Sequence, residues 1–220
     1  MNRTWIDCLL DLLFPPKCPF CRGLLESEER EYGICAECRE HNRTDTECKK
    51  EVSGFEECLS PLWYQGMVKE SIHRYKFSGK SAYAKAYAHL MTECMANYME
   101  GEWDVITWVP LSAKRLRERG YDQAKLLAEA IASKLGTTAL PLLRKEIHTG
   151  AQSLLKDASA RRANVAGAYS VLDVGLVEGK RVLLVDDVVT TGATLSECAV
   201  TLLGAGAKEV RAVTLARGKR

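Results

Sequence analysis

The chain has 220 residues, which is enough for one medium-sized domain with a small appendage. It is 46% hydrophobic and 27% charged, as is typical of a soluble protein, and no apolar run approaches the ~20 residues needed to span a bilayer. The net charge of +2 hides an asymmetry: residues 1–60 carry 8 Lys and Arg against 13 Asp and Glu, and the remainder carries 23 against 16. This mild basic excess permits an anionic ligand or nucleic acid without demanding one.

The N-terminal segment MNRTWIDCLLDLLFPPKC is the one stretch with some likeness to a targeting sequence. Asp7 and Asp11 interrupt its apolar residues, and no small-residue cleavage site follows. We therefore predict a short amphipathic helix that stops at Pro15 and Pro16, in a cytoplasmic protein without an export signal.

Six of the nine cysteines fall within the first 48 residues. Four of them form two C-x2-C pairs, Cys18 with Cys21 and Cys35 with Cys38, with thirteen residues between the pairs. Each pair suits a tight turn, and two such turns supply the tetrahedral sulfur set that zinc prefers. A redox role fits less well, because no strand–helix–strand pattern surrounds either pair. We predict a closed, structural zinc site that stabilises a segment too small to form a core alone.

Cys48 and Cys58 lack this pair spacing. They could belong to a degraded second metal site, although ordinary thiols are the simpler interpretation. Residues 39–56 are polar and predict a linker or a loose hairpin. We therefore expect an N-terminal helix and zinc-binding module over residues 1–58 and a second domain over residues 59–220.

From residue 61 onward, short apolar runs alternate with segments of helical periodicity. The predicted strands cover residues 62–65, 104–109, 138–143, 168–172, 181–185 and 209–216. The predicted helices cover residues 67–77, 82–99, 122–135 and 193–203. Continuous apolar strands that alternate with helices are typical of a parallel sheet covered on both faces.

The stretch VLLVDDVVTTGAT, residues 182–194, places an acidic pair and a small, hydroxyl-rich turn after an apolar strand. Ligands of open α/β sheets bind beyond the carboxyl ends of strands, which is where Asp186 and Asp187 stand. The turn leads into a helix whose unpaired N–H groups and dipole favour an anion. Its residues form a predicted phosphate cradle: Thr190, Thr191, Gly192, Ala193 and Thr194.

The two aspartates would repel that phosphate, but they suit sugar hydroxyls or a magnesium ion that already carries phosphate oxygens. A ribose with a 5′-phosphate satisfies both halves of the stretch. The alternative is an ordinary strand end with an aspartate turn and a threonine cap. A P-loop is excluded because the sequence has no G-x4-G-K-[ST] motif. A phosphoacceptor receiver domain has its acidic pair near its beginning, whereas 33 residues follow Asp187 here.

VLLVDDVVTTGAT is similar in all thirteen residues to the phosphoribosyl pyrophosphate signature of type I phosphoribosyltransferases. With the four-cysteine module, three further stretches closely resemble the ComF family: VPLSAKRLRERGYDQAKLLAEAIA (109–132), TGAQSLLKDASARRANVAGAY (149–169) and YKFSGK (75–80). The resemblance covers nearly the whole chain. It implies a type I phosphoribosyltransferase-like, doubly wound parallel sheet with a small N-terminal four-cysteine zinc module. Family members often carry a second clean cysteine pair, which this chain lacks, so only the first zinc site is expected.

The resemblance also implies roles for individual residues. Asp186 and Asp187 would fix the ribose hydroxyls during displacement at the anomeric carbon, with magnesium accompanying phosphoribosyl pyrophosphate. Lys114 and Arg115, in the 111–115 region, would hold the pyrophosphate. Residues 144–163 would form a flap that closes over the site.

The basic side chains of Arg117, Arg119, Arg161 and Arg162 could instead follow a nucleic-acid backbone. For the first two, an exposed, salt-bridged turn with Glu118 is the competing interpretation.

By resemblance, the protein would act in natural competence and handle incoming single-stranded DNA together with a DNA-translocating helicase partner. Two other functions remain open: a metabolic phosphoribosyltransferase that uses a small nucleophile, and a non-catalytic sensor of phosphoribosyl pyrophosphate. The sequence does not name an acceptor, so it leaves open whether the domain is an enzyme.

Overall fold

The computed structural model describes residues 15–41, 48–49, 51–146 and 167–218. The predicted N-terminal helix and most of the polar stretch 144–163, including Arg161 and Arg162, lie outside them. Among the described helices, none combines the length and the apolar character needed to cross a bilayer.

Helices and strands alternate along most of the described chain. The helices are α1 Ala36–His41, α2 Gly66–Phe77, α3 Tyr83–Tyr98, α4 Ala113–Arg119, α5 Gln123–Lys134 and α6 Ala193–Gly204. The strands are β1 Glu57–Leu59, β2 Leu62–Trp63, β3 Val105–Trp108, β4 Leu143–Lys145, β5 Tyr169–Val171, β6 Arg181–Val189 and β7 Glu209–Arg217.

The main sheet is parallel and has the order β1-β7-β6-β3, with β2 also pairing with β7 beyond the end of β1. Its two long central strands bury both faces. Leu183 and Val185 of β6 face a core that contains α3 and α5, and Val182 and Leu184 face a second core that contains α6. This alternation explains the continuous apolar run of the strand, and it confirms the predicted doubly covered sheet.

The N-terminal module packs on the first of these cores instead of standing apart from it. Cys18, Phe20, Leu25, Ile34 and Cys38 are all buried within the cluster that contains α2 and α3. Strand β1 crosses residues 58 and 59, where the sequence suggested a boundary, and joins the main sheet through β7.

Two predicted segments differ from the structure. The apolar strand continues beyond Val185 to Val189, because β7 still supplies pairing partners there. The strand expected at 138–143 is replaced by an isolated bridge at Ala139 and by β4, which pairs antiparallel with β5. Pro141 lies between them, and a proline cannot donate to a strand ladder.

Candidate functional site

The four cysteines of the two pairs form one cluster. The Sγ atoms of Cys18, Cys21, Cys35 and Cys38 all lie within 4.8 Å of one another. The first turn is closed by backbone hydrogen bonds, and the N–H of Gly23 donates to Sγ of Cys21 over 3.4 Å, which favours the thiolate. Four sulfur donors at one point fit the preference of zinc for a closed tetrahedral set, so the cluster supports the predicted structural zinc site.

The first cysteine turn is fastened to helix α2. Nη2 of Arg74 donates to the carbonyl oxygens of Pro19 (2.8 Å) and Phe20 (3.0 Å), and the hydroxyl of Ser71 also donates to Pro19. The ring of Phe20 lies 5.9 Å from that of Tyr87 on α3. The four-cysteine cluster therefore has a defined position relative to the helices of the main domain.

Cys48 and Cys58 are both buried and lie outside the four-cysteine cluster of the described residues. The carbonyl of Cys48 accepts a hydrogen bond from the N–H of Ser60 over 2.8 Å. Cys58 lies in β1, in register with Ala212. Both positions suit small core residues.

The acidic pair lies in the part of β6 that extends beyond the end of the neighbouring strand β3. Strand β3 ends at Trp108, opposite Val185, whereas β6 continues to Val189 with β7 as its partner. The residues after Val185 therefore have no β3 neighbour and line an open edge. Asp186 is half-buried there, and Asp187 is 8% exposed.

The sequence interpretation gave no role to Lys76 of α2, which meets this pair. Its Nζ atom lies 2.7 Å from Oδ1 of Asp187, in an ion pair whose side chains are only 18% and 11% exposed. Lys76 belongs to the YKFSGK stretch, so the family resemblance drew attention to the segment without identifying the contact.

The pKa of Asp186 is raised to about 8, first by burial and then by the neighbouring charge of Asp187. The N–H of Asp187, which donates to Oδ1 of Asp186 over 2.7 Å, and Lys76 act in the opposite direction. A carboxyl in this environment gains stability from any ligand that brings hydrogen-bond donors or positive charge.

The predicted phosphate cradle forms the start of α6. Gly192 is the N-cap residue and has φ +79°, the left-handed region that favours glycine, and Oγ1 of Thr191 accepts from the N–H of Ala193 over 3.4 Å. A pocket of about 60 Å³ lies here, lined by Asp186 and residues 188–195. The structure therefore brings one aspartate of the pair and the whole cradle to the same small cavity.

The basic segment after β3 is a short helix, α4, where the sequence interpretation placed a loop. Ser112 caps it by accepting from the N–H of Arg115 over 3.4 Å, and Gly120 ends it with φ +79°. Asp122 anchors the preceding loop, because Oδ2 accepts from the N–H of Leu111 (3.0 Å) while Oδ1 accepts from the N–H of Lys125 (3.1 Å) at the start of α5. Asp122 thus positions the expected pyrophosphate loop, a role that the sequence interpretation missed.

The predicted cations of α4 differ in their surroundings. Lys114 is exposed, with Nζ 4.0 Å from Glu118, and Arg117 is also exposed. Arg119 is half-buried: Nη1 donates to Oε1 of Gln123 over 2.6 Å, and the guanidinium carbon lies 4.9 Å from the ring centre of Phe77.

Lys145 of β4 is a further partly buried cation that the sequence interpretation did not assign to the site. Its Nζ donates to the hydroxyl of Tyr169 over 2.9 Å. Burial lowers the pKa of Lys145, the charge of Arg115 lowers it further, and Asp186 raises it. Lys145 therefore lies within electrostatic range of both Arg115 and Asp186.

Two family models match the chain: "Double zinc ribbon domain" over residues 9–57 and "Phosphoribosyl transferase domain" over residues 122–220. Competence protein ComFC of Streptococcus pneumoniae is 34% identical over 154 residues, which cover 70% of this chain and 65% of that protein. Competence protein ComFC of Bacillus subtilis is 31% identical, covering 70% of this chain and 61% of that protein. The aligned part thus spans less than two thirds of either competence protein.

DNA utilization protein YhgH of Salmonella typhimurium is 31% identical over 174 residues, covering 77% of this chain and 76% of that protein. Among solved structures, glutamine phosphoribosylpyrophosphate amidotransferase from B. subtilis is similar with 27% identity and a TM-score of 0.40, covering 63% of this chain and 26% of that chain.

The fold and the site define a phosphoribosyltransferase-like protein with an N-terminal zinc ribbon. The zinc ribbon and transferase matches, together with the aligned relatives, confirm this class. The chain belongs to the ComF family.

Proposed function

We propose that the protein is a ComF-type phosphoribosyltransferase-like protein that binds phosphoribosyl pyrophosphate and acts on incoming single-stranded DNA in natural competence. The observation that carries the first half is the shared pocket of Asp186 and the cradle at residues 190–194. Carboxylates accept from sugar hydroxyls, and a helix N-terminus binds phosphate, so one ribose 5-phosphate meets both requirements.

In this proposal the ribose hydroxyls bind Asp186 and Asp187, the 5′-phosphate binds the backbone at the start of α6, and Lys114 with Arg115 meets the pyrophosphate. Charge-assisted bonds to phosphate are the strong class, which suits cations at this position. The oxygen donors here fit magnesium carried by the pyrophosphate, and that ion would neutralise charge on the diphosphate.

The names of the relatives, competence proteins and a DNA utilization protein, support the second half of the proposal. Exposed Lys114 and Arg117 give α4 a basic face that suits a phosphate backbone. A DNA-translocating helicase would be the partner, and a cytoplasmic location would keep the zinc-bound thiols reduced. We also propose that residues 1–58 form the zinc module and residues 59–220 the phosphoribosyltransferase-like domain.

Calorimetry tests the ligand. We expect magnesium phosphoribosyl pyrophosphate to bind the wild-type protein. The combined variant Asp186→Ala with Asp187→Ala should bind it at least about tenfold more weakly, which corresponds to a loss of about 1.4 kcal/mol in binding free energy. The control is Lys180→Ala combined with Lys208→Ala. These residues immediately precede β6 and β7, so they lie at the N-terminal ends of the strands, away from the pocket at the C-terminal ends. A wild-type protein without measurable binding would refute the pocket.

Single-stranded DNA binding at several salt concentrations tests the second half. Neutralising Lys114, Arg115 and Arg117 should weaken binding and reduce the slope of log K against log salt by about 0.7 for each lost phosphate contact. The Lys180 and Lys208 control should leave the slope unchanged. If both variants behave alike, α4 is not the DNA surface.

Radiolabelled phosphoribosyl pyrophosphate incubated with the protein and a cell extract separates an enzyme from a sensor. A labelled phosphoribosylated product that requires the acidic pair indicates transfer. Binding without any product indicates a sensor.

A further inference from the structure

The geometry points to Lys76 as a ligand-positioning residue: it is the built-in counter-ion of Asp187 and adapts that carboxylate to a hydroxyl of a ribose instead of a free divalent cation. This inference rests on the proposed binding of a phosphorylated ribose. It concerns Lys76, which comes from a helix outside the signature stretch and lies 111 positions from its partner.

The ion pair between Lys76 and Asp187 lies in a shielded environment. Nζ of Lys76 lies 2.7 Å from Oδ1 of Asp187, and both side chains are largely shielded from water. Shielded charges interact more strongly than surface charges, but removing them from water costs several kcal/mol per ion. A hydrophobic pair would often be at least as stable, so this pair is better explained by a role in the site than by stability.

The end of α2 that carries Lys76 is held in place by hydrogen bonds. The hydroxyl of the adjacent Tyr75, which is fully buried, donates to the carbonyl of Gln123 over 2.9 Å. The hydroxyl of Tyr121 donates to the carbonyl of Tyr75. Lys76 therefore approaches the acidic pair from a backbone that is fixed on both sides, as a positioning residue requires.

Charge also favours a hydroxyl over a free cation at this position. The charges of Asp187 and Asp122 raise the pKa of Asp186, and the charge of Lys76 lowers it. With Asp187 already paired, a free divalent ion would have to compete with a resident ammonium. A hydroxyl meets no such competition, because it can donate to a carboxylate oxygen and accept from the ammonium, which has three donors in all.

One ribose hydroxyl would bridge Asp187 and Lys76, whose charged atoms lie 2.7 Å apart. Lys76 would then improve binding of the sugar while keeping the ligand-free acidic pair a poor metal site.

The test uses the full-length protein with Lys76→Met, which removes the charge and keeps the length of the side chain. Lys80→Met is the matched control, because Lys80 lies in the same YKFSGK stretch and is exposed. Lys76→Arg preserves the charge and should restore part of the effect. Thermal unfolding verifies that each variant folds. If Lys76→Met does not fold, Lys76→Gln takes its place.

Electron paramagnetic resonance measures binding of Mn²⁺ alone, without any sugar ligand. Loss of the resident cation should raise the affinity for Mn²⁺ about tenfold in Lys76→Met, and adding Asp187→Asn should abolish the gain. Calorimetry with magnesium phosphoribosyl pyrophosphate should show the opposite change, an affinity about tenfold weaker. Lys80→Met should match the wild type in both measurements.

The two measurements separate the possible failures. Unchanged Mn²⁺ affinity in Lys76→Met overturns the counter-ion role, whatever the sugar ligand does. A clear Mn²⁺ gain in a protein that never binds phosphoribosyl pyrophosphate overturns the proposed function and leaves the counter-ion role standing. A Mn²⁺ gain with unchanged affinity for phosphoribosyl pyrophosphate overturns the ligand-positioning role.

Discussion

Replacement of Gly192 by alanine should destabilise the protein through two separate effects at the phosphate cradle. Gly192 has φ +79°, and a left-handed backbone costs an alanine about 1–2 kcal/mol. A Cβ atom there would also lie 2.9 Å from Cγ1 and 3.3 Å from Cγ2 of Val52, closer than carbon atoms pack. Overpacking costs about 1–3 kcal/mol, and the lower end applies because half-buried Val52 can shift. We expect a total loss of about 2–3 kcal/mol.

Urea unfolding measures this loss, and a second glycine separates the two effects. Gly179 has φ +69° and no atom within 4 Å of an added Cβ, so Gly179→Ala should show only the backbone cost of about 1–2 kcal/mol. Val52→Ala combined with Gly192→Ala should recover the packing part, and the double-mutant cycle gives its size.

The predicted clash with Val52 is refuted if Gly192→Ala costs no more stability than Gly179→Ala, or if Val52→Ala brings no recovery. Either result would mean that the segment before β1 does not press on the cradle. An unchanged urea dependence of the unfolding free energy in all variants is needed for the comparison, because a changed slope signals a different unfolded state.

Three further predictions concern the zinc site, the acidic pair and the loop anchor. Cys18→Ser combined with Cys35→Ser should lower zinc from about one per chain to near none and expose the N-terminal module to protease; retained zinc would contradict the ligand set. Because the pKa of Asp186 is raised to about 8, the folded chain keeps a proton that the unfolded chain releases near pH 4. Unfolding free energy should therefore fall as pH rises from about 4 through about 8, and Asp186→Asn should flatten this slope; an equal slope in both proteins would rule out the assignment. Asp122→Ala should cost about 1–2 kcal/mol in urea unfolding and weaken binding of phosphoribosyl pyrophosphate, whereas loss of stability alone would argue against a role in the loop.

The regular elements and the grouping of the four cysteines were predictable because their causes are local. Apolar continuity predicted the two central strands, and helical periodicity predicted α2, α3, α5 and α6 to within one residue at every end. The C-x2-C spacing placed four thiols that the fold does bring to one point. Each of these patterns depends on residues near one another in sequence.

The missed features depend on partners that lie far away in the chain. The strand β6 continues through the two aspartates because β7 pairs with it beyond the end of β3. The sequence of β6 alone does not reveal this pairing. Helix α4 was missed because it is short and largely charged, and its defining cap is one serine. Lys76 reaches Asp187 only when α2 packs beside the edge of the sheet, so no local pattern marks it as part of the site.

Helix α2 links the metal module to the acidic pair through residues only two positions apart. Arg74 binds the carbonyl groups of the first cysteine turn, and Lys76 binds Asp187. A helix of twelve residues moves largely as one body, so an ordered cysteine turn at one side restricts where the ammonium can lie at the other. The zinc module is therefore connected to Asp187 without touching it: the first cysteine turn holds α2 through Arg74, and α2 carries the ammonium that pairs with Asp187.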